Sequence, residues 1–370
     1  MGKRELLLIG GFVLVGCLVY WATAPAAAPG ERGFSLATIL DRVHREVRGN
    51  QSSAELTTTT TLKPAPGLTE VRFEIGNAPT TIIGEDRRDI ACELSVWSNG
   101  YDEAEAKRLA GETKLKTSEA GTSLVLGIEY PEPGRQRASL TVRLPENLAV
   151  RVQPSRAKLE ISNVASAELV ESRGQVTVRE VPGRVVVTHR GGELTLEDVG
   201  SIKLNSRGSV VTLKDVKGDI VAQLQAGELR GGSFGGSIEI ESQGSRVALE
   251  DLSESHKPIR VNAVGGVVTL GRVSSETRVD GRDTRIEVEM EKAVALAIYN
   301  EDEEPTRVTL PDAGVRLDAL TTDGRVMLPD GLLAVKTDGN EQRASGAIKG
   351  GGPTITLRTK RGPIEIRDQK

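Results

Sequence analysis

Residues 171–216 read ESRGQVTVREVPGRVVVTHRGGELTLEDVGSIKLNSRGSVVTLKDV and repeat one pattern three times. A glycine corner leads into an alternating apolar pair, then an acidic or other polar residue before a valine, then a second alternating pair. Alternation with a period of two marks strands whose side chains point to opposite faces. The pattern extends well beyond these residues. The first apolar position of each unit falls at Leu159, Val176, Leu194, Val211, Leu229, Val247, Val268 and Ile286. A second column follows the acid, at Val164, Val181, Val199, Val216, Phe234, Leu252 and Val273, and a third runs through Val185, Ile202, Ile220, Ile238, Ile259 and Thr277. Steps are 17 or 18 residues, except for a 21-residue step where SESHKP is inserted at 253–258. All three columns shift together at that insertion.

A unit this short cannot supply a propeller blade, but it fits one coil of a parallel β-solenoid, in which successive coils hydrogen-bond about 4.8 Å apart and equivalent residues stack. A single coil cannot bury its own apolar residues, whereas stacked coils share one core. Composition agrees. Aromatics make up 3% of the chain against 41 glycines, which suits thin, strand-rich layers better than a wide globular core. A net charge of -4 with both signs abundant lacks the basic footprint that neutralises phosphates, so nucleic acid is set aside as a partner.

The chain opens MGKRELLLIGGFVLVGCLVYWATAPAAAPG, with no charge between residues 6 and 24. At about 1.5 Å per helical residue this run is long enough to cross a hydrocarbon core of roughly 30 Å. Lys3 and Arg4 precede it, and Tyr20 and Trp21 lie near its far end. The positive-inside rule and the aromatic belt therefore predict residues 1–5 as a cytoplasmic tip, 6–24 as a transmembrane signal anchor, and a periplasmic or extracellular body. Two other readings stand beside the anchor. The small residues of ATAPAAAP suit a signal peptidase, although Pro25 and Pro29 sit badly around a scissile bond, and LVGC resembles a lipobox that would lipidate Cys17. Only Cys17 and Cys92 exist, so no disulfide framework forms within the chain, and Cys92 is expected to be a small buried hydrophobe.

Residues 25–55 read as a linker containing an amphipathic helix at about 34–48, with Phe34, Leu36, Ile39, Leu40, Val43 and Val47 at helical spacing. It would pack on the body, form a loose stalk or lie on the lipid surface. Residues 56–155 are expected to form a β-rich segment interrupted by a helix at about 102–115. The repeat proper, or the repeat with a β-cap on it, is expected to fill 156–370, with the dense charges of RTKRGPIEIRDQK protecting an open terminal edge. The fold class is thus all-β: a single-stranded β-solenoid of 17–18-residue coils, preceded by a strand cluster with one helix and a transmembrane helix. The helix-containing segment reads as a cap on one end.

These features resemble the bacterial β-strand-repeat proteins known as "putative adhesins", a domain of unknown function. The resemblance is carried by TEVRFEIGNAPTTIIGEDRRDIACEL, YDEAEAKRLAG, ASLTVRLPENLAVRVQPSRAKLEISNV and the closing DALTTDGRVML and GGGPTITLRTKRGPIEIRD, in that order. It covers residues 56 to 368 and implies an envelope-associated, non-enzymatic β-solenoid. One departure is that Ser-Arg-Gly or Gln-Ala-Gly often stands where the family has Ser-Gly-Asp corners, which casts doubt on a ligand role for corner acids.

Among residues able to carry chemistry, the acids Glu180, Asp198, Asp215 and Asp251 recur once per coil, with Ser233 intervening. Asp198, Asp215 and Asp251 are the candidates for a hard cation such as calcium. The competing and favoured reading has each acid close its own corner, since the glycine-rich nonapeptide signature of calcium-binding coils is absent. Arg179, Glu197 and Lys214 form an outward column of alternating sign, and Thr177, Thr195, Thr212 and Thr269 an outward β-branched row broken at Arg230 and Ala248. His44, His189 and His256 have neither metal nor triad spacing and read as surface residues. The segment 231–236, GGSFGG, lacks the lysine and helix of a phosphate loop and reads as an irregular corner.

No catalytic, cofactor-binding or metal site is thereby assigned. The function expected is that of a non-enzymatic, membrane-anchored binding, scaffolding or adhesin-like module of the cell envelope. Its partners would be the lipid bilayer, through the N-terminal helix, and an envelope protein or polysaccharide. Two alternatives stand: a carbohydrate-active β-helix enzyme of the polysaccharide lyase or hydrolase kind, and an envelope scaffold that assembles end to end.

Overall fold

In the strand Val185–Val199, Val185, Val187, His189, Leu194, Leu196 and Val199 are buried while Val186, Thr188, Thr195 and Glu197 face outward, so the pleat alone separates core from surface. A glycine corner at Gly191 and Gly192 turns the chain between its two halves. Gly192 has φ +99°, and a Cβ there would lie 2.2 Å from the carbonyl oxygen of Gly174 in the preceding coil. Only glycine permits both the dihedral and the approach.

The computed structural model describes residues 52–132 and 134–368, together with the helical residues Gly11, Val15 and Gly16. The chain is an all-β solenoid. Nine coils follow one another in chain order, at 149–162, 166–181, 185–199, 202–216, 220–234, 238–251, 259–273, 277–290 and 296–310. Neighbouring coils pair in parallel.

Two of the three apolar columns are unbroken stacks, and the column after the acid pairs in register from Val181 through Val199 and Val216 to Phe234. Leu159, Val176, Leu194, Val211, Leu229, Val247, Val268 and Ile286 oppose one another in an unbroken register, and all are buried. Val185, Ile202, Ile220, Ile238, Ile259 and Thr277 do the same on the other strand. The insertion at 253–258 forms turns outside the sheet, so Ile238 still opposes Ile259. At GGSFGG the register shifts between Gly231 and Gly232, which makes it an irregular strand end.

Both ends depart from chain order. The strands Glu70–Glu74 and Thr80–Glu85 lie parallel against the first coil. The later strands Ser123–Glu129 and Gln136–Pro145 lie on their far side. Antiparallel strands then close this end: Lys114–Ala120 on Ser123–Glu129, Ile90–Gly100 on Gln136–Pro145, and Ser52–Leu62 outermost. The expected division at residue 156 therefore falls inside the first coil, and parallel stacking already includes residue 70. The helix Glu103–Glu112 is capped by Asp102, whose side chain accepts from the Glu105 amide, and buries Ala106, Leu109 and Ala110. It ends at Glu112, and a strand from Lys114 replaces the last residues of the helix expected to 115.

The C-terminal end requires a correction. Thr354–Thr359 and Ile364–Asp368 do not form an open edge. They lie between the ninth coil and the strand Val315–Thr321, which pairs with Thr354–Thr359 from the other side. Glu341–Ile348 and Val335–Asp338 then close the stack with antiparallel pairing. Chain order and spatial order part here because the hairpin inserted at 335–348 supplies the cap, which lets the last residues complete the core.

Among the described residues, no helix is long and apolar enough to cross a membrane. Apart from Gly11, Val15 and Gly16, the expected anchor at 6–24 lies outside the described residues, as do the helix expected at 34–48, Cys17 and His44.

Candidate binding surface

At four of the five positions of the acid column, Asp251 excepted, the backbone turns left-handed: φ is +54° at Glu180, +51° at Asp198, +51° at Asp215 and +61° at Ser233. Aspartate tolerates this region better than most residues, and the buried residue that follows each corner holds the chain there. Two of the carboxylates, those of Asp198 and Asp251, are occupied locally. Asp198 lies 2.5 Å from Lys217 Nζ, and Asp251 Oδ1 accepts from the Ser253 amide at 3.3 Å and its hydroxyl at 2.6 Å. The Ser253 bonds hold the Asp251 carboxyl below its ordinary range. Among the described residues, no group of three or more His, Cys, Asp or Glu side chains is placed to hold a metal ion, so Asp198, Asp215 and Asp251 are not gathered into one site.

The two strands of each coil present two different outer faces. One carries the threonine row, with Thr177, Thr195 and Thr212 opposed in register, and is laced with ion pairs. Arg179 Nε lies 3.0 Å from Glu197, and Arg307 reaches Glu287 at 2.7 Å and Glu365 at 2.8 Å. Such partly exposed pairs favour register and contribute about 0 to 1 kcal/mol each.

The other face is richer in amides. Asn205, Gln223, Glu241, Asn262, Asp280 and Tyr299 form one column, each opposite the next. Gln223 Nε2 donates to Glu241 Oε2 at 3.0 Å, and beside it Gln225 Nε2 donates to Gln243 Oε1 at 3.4 Å. A shallow groove of about 510 Å³ runs along these side chains. Tyr299 ends the column, with the Arg278 guanidinium 5.0 Å from its ring centre and bonded to Asp280 at 2.7 and 2.9 Å. The result is a rigid row of hydrogen-bond donors and acceptors, repeated at the coil spacing of about 4.8 Å. The sequence reading missed this column because it followed the apolar positions. Its signal was the polar residue between the buried pairs of each first strand.

His189 also requires a correction. It is fully buried, 2.9 Å from Ser172 Oγ through Nδ1, while His256 is exposed as expected. The pair has the spacing of a nucleophile and its base, but Ser172 is 2% exposed and His189 0%, so no substrate reaches them. They belong to a buried column of Ser155, Ser172, His189 and Ser206. The clue was present in Ser-Arg-Gly: Ser172 and Ser206 each stand two residues before a glycine corner, and His189 takes the same place before Gly191. Cys92 is buried, and that burial pushes its thiol up to about 11.

No protein-family model and no curated protein sequence matches the chain. Three solved structures are similar to it. One is a "putative adhesin" of Parabacteroides merdae, at TM-score 0.34 and 11% identity over 85% of this chain and 96% of that one. Another is a "putative adhesin" of Bacteroides fragilis, at TM-score 0.25 and 12% identity over 85% and 97%. The third is a "putative cell adhesion protein" of Clostridium sporogenes, at TM-score 0.22 and 8% identity over 85% and 100%.

Proposed function

We propose that this chain is a non-enzymatic, adhesin-like binding module of the cell envelope, held by an N-terminal membrane anchor at 6–24 with its body periplasmic or extracellular. The observation that carries the binding reading is the amide column Asn205, Gln223, Glu241 and Asn262, fixed in register on a rigid stack. A surface with this geometry suits an extended, polar, repetitive partner such as an envelope polysaccharide, or an envelope protein presenting an ordered polar row. The antiparallel strands over both ends favour a discrete module over end-to-end assembly. The anchor rests on the uncharged run and its flanks: Lys3 and Arg4 on one side, Tyr20 and Trp21 on the other.

Co-sedimentation with isolated cell envelopes tests the binding reading. The wild-type protein should pellet with them, and a Gln223→Ala, Glu241→Ala, Asn262→Ala triple variant should shift at least several-fold into the supernatant. Equal pelleting of a correctly folded triple variant would remove the amide face from the function. For the anchor, the full chain should resist alkaline carbonate extraction while its body is digested by protease added from outside the inner membrane. Release by carbonate would contradict it.

A further inference from the structure

A groove of about 850 Å³ lies at the N-terminal cap, away from the amide face. Trp97, Tyr130, Gln136, Arg137, Asn77 and Glu74 are among the residues that line it. Its volume is within the range of small-ligand sites, roughly 300–1,000 Å³. The groove exists because Gln136–Pro145 outruns its parallel neighbour. Thr80 pairs with Leu140, so residues 136–139 extend past the start of Thr80–Glu85 and are flanked on one side only, by Ile90–Gly100.

Three observations point to a ligand. In a chain with two tryptophans, Trp97 stands on the outer face of the cap, 38% exposed, with the Arg137 guanidinium 5.7 Å from its ring centre. Tyr130, half-buried, also lines the groove, and burial raises its hydroxyl pKa. Gln136 is 6% exposed, yet neither its amide nitrogen nor its amide oxygen has a hydrogen-bond partner among the described residues. A buried carboxamide left without partners is costly, and folds tolerate one without return only rarely.

We propose that this groove is a saccharide-binding site. Trp97 supplies the apolar platform for a sugar ring, and Tyr130 the second aromatic wall. The Gln136 carboxamide, brought into the groove by a change of rotamer, donates through Nε2 to a carbonyl or hydroxyl oxygen and accepts at Oε1 from a neighbouring hydroxyl. Arg137 adds guanidinium donors at the rim. A neutral sugar with an acetamido group beside a ring hydroxyl offers this donor and acceptor pair, so N-acetylated amino sugars are the class that fits best. An extended peptide fits less well. The Leu140 amide donates to the Pro79 carbonyl, and strand alternation leaves only Gln136 and Ala138 to direct backbone groups toward the groove, too short an edge for an added strand.

The test is titration of the full chain in detergent with N,N′,N″-triacetylchitotriose, with maltotriose as the comparison, followed by tryptophan fluorescence and calorimetry. Saturable binding of the chitotriose is expected, at least tenfold weaker in Trp97→Ala and Gln136→Leu and partly retained in Trp97→Phe. Melting temperatures of the variants report whether the cap still folds, and Gln136→Leu should melt no lower than wild type because it removes an unpaired amide. The proposal is overturned by no saturable response to either sugar. It is equally overturned by unchanged affinity in both Trp97→Ala and Gln136→Leu, or by tight binding of extended peptides in their place. The amide-face triple variant should bind the trisaccharide normally, so failure here and failure of the envelope-binding reading are told apart.

Discussion

Ser172 Oγ and His189 Nδ1 lie 2.9 Å apart inside the coil stack, and His189 Nε2 has no partner among the described residues. Protonation would place a charge with one unsatisfied donor in the core, so burial lowers the His189 pKa below its ordinary value. The unfolded chain then binds the proton more readily than the folded one. Stability from this residue is complete above the ordinary histidine pKa of about 6.5 and is lost as pH falls below it. Thermal melts between pH 7.5 and 5 should show a falling Tm, and His189→Ser, matching Ser172 and Ser206 in the column, should flatten that slope. A slope unchanged in the variant would assign the effect to other groups.

The close approach at Gly192 predicts a steep cost for the smallest side chain. With φ +99° and Gly174 O 2.2 Å from where a Cβ would stand, Gly192→Ala should destabilise by more than about 2 kcal/mol. At Gly121, where φ is +65° and nothing lies within 4 Å of such a Cβ, alanine should cost about 1 kcal/mol. Urea unfolding of the two variants compares them directly, and equal midpoints would contradict the packing described.

Leu194 and Thr195 are adjacent in sequence and opposite in consequence. Leu194 is fully buried between Val176 and Val211, so Leu194→Ala should cost about 2–5 kcal/mol. Thr195 faces outward in the threonine row, and Thr195→Ala should change stability by roughly 0.5 kcal/mol or less. The difference in chemical denaturation midpoint should carry that sign.

Because Lys217 and Ser253 already engage Asp198 and Asp251, added calcium should leave the melting temperature where it is. A rise of several degrees with millimolar calcium, absent in Asp198→Asn or Asp251→Asn, would restore the corner acids as ligands.

How much of this was legible follows from what repeats. Leu159 to Ile286 recur at one spacing because each coil must cover the last with an aliphatic side chain, and the joint shift at 253–258 fixes the register. Of the corner acids, Asp251 closes its own turn as expected, through the Ser253 amide, whereas Asp198 pairs with Lys217. The caps were harder. Nothing in the order of residues 52–145 or 315–368 shows that a later strand inserts beneath an earlier one, because long-range pairing leaves no local period. The buried serine and histidine column hid behind a polar composition that normally means surface. The groove at Trp97 depends on a difference in strand length, visible only once Thr80 is seen to start opposite Leu140.

Every face described here depends on Gln223 lying over Glu241, one coil on, at about 4.8 Å. Oxidative crosslinking of a Gln223→Cys, Glu241→Cys pair, in a Cys17→Ser, Cys92→Ala background, measures that relationship. The pair should close to a disulfide nearly quantitatively in the folded protein. A Gln223→Cys, Asn262→Cys pair, two coils and about 10 Å apart, should not, since a disulfide spans no more than about 7 Å between Cα atoms. Crosslinking of the second pair without the first would contradict the stack.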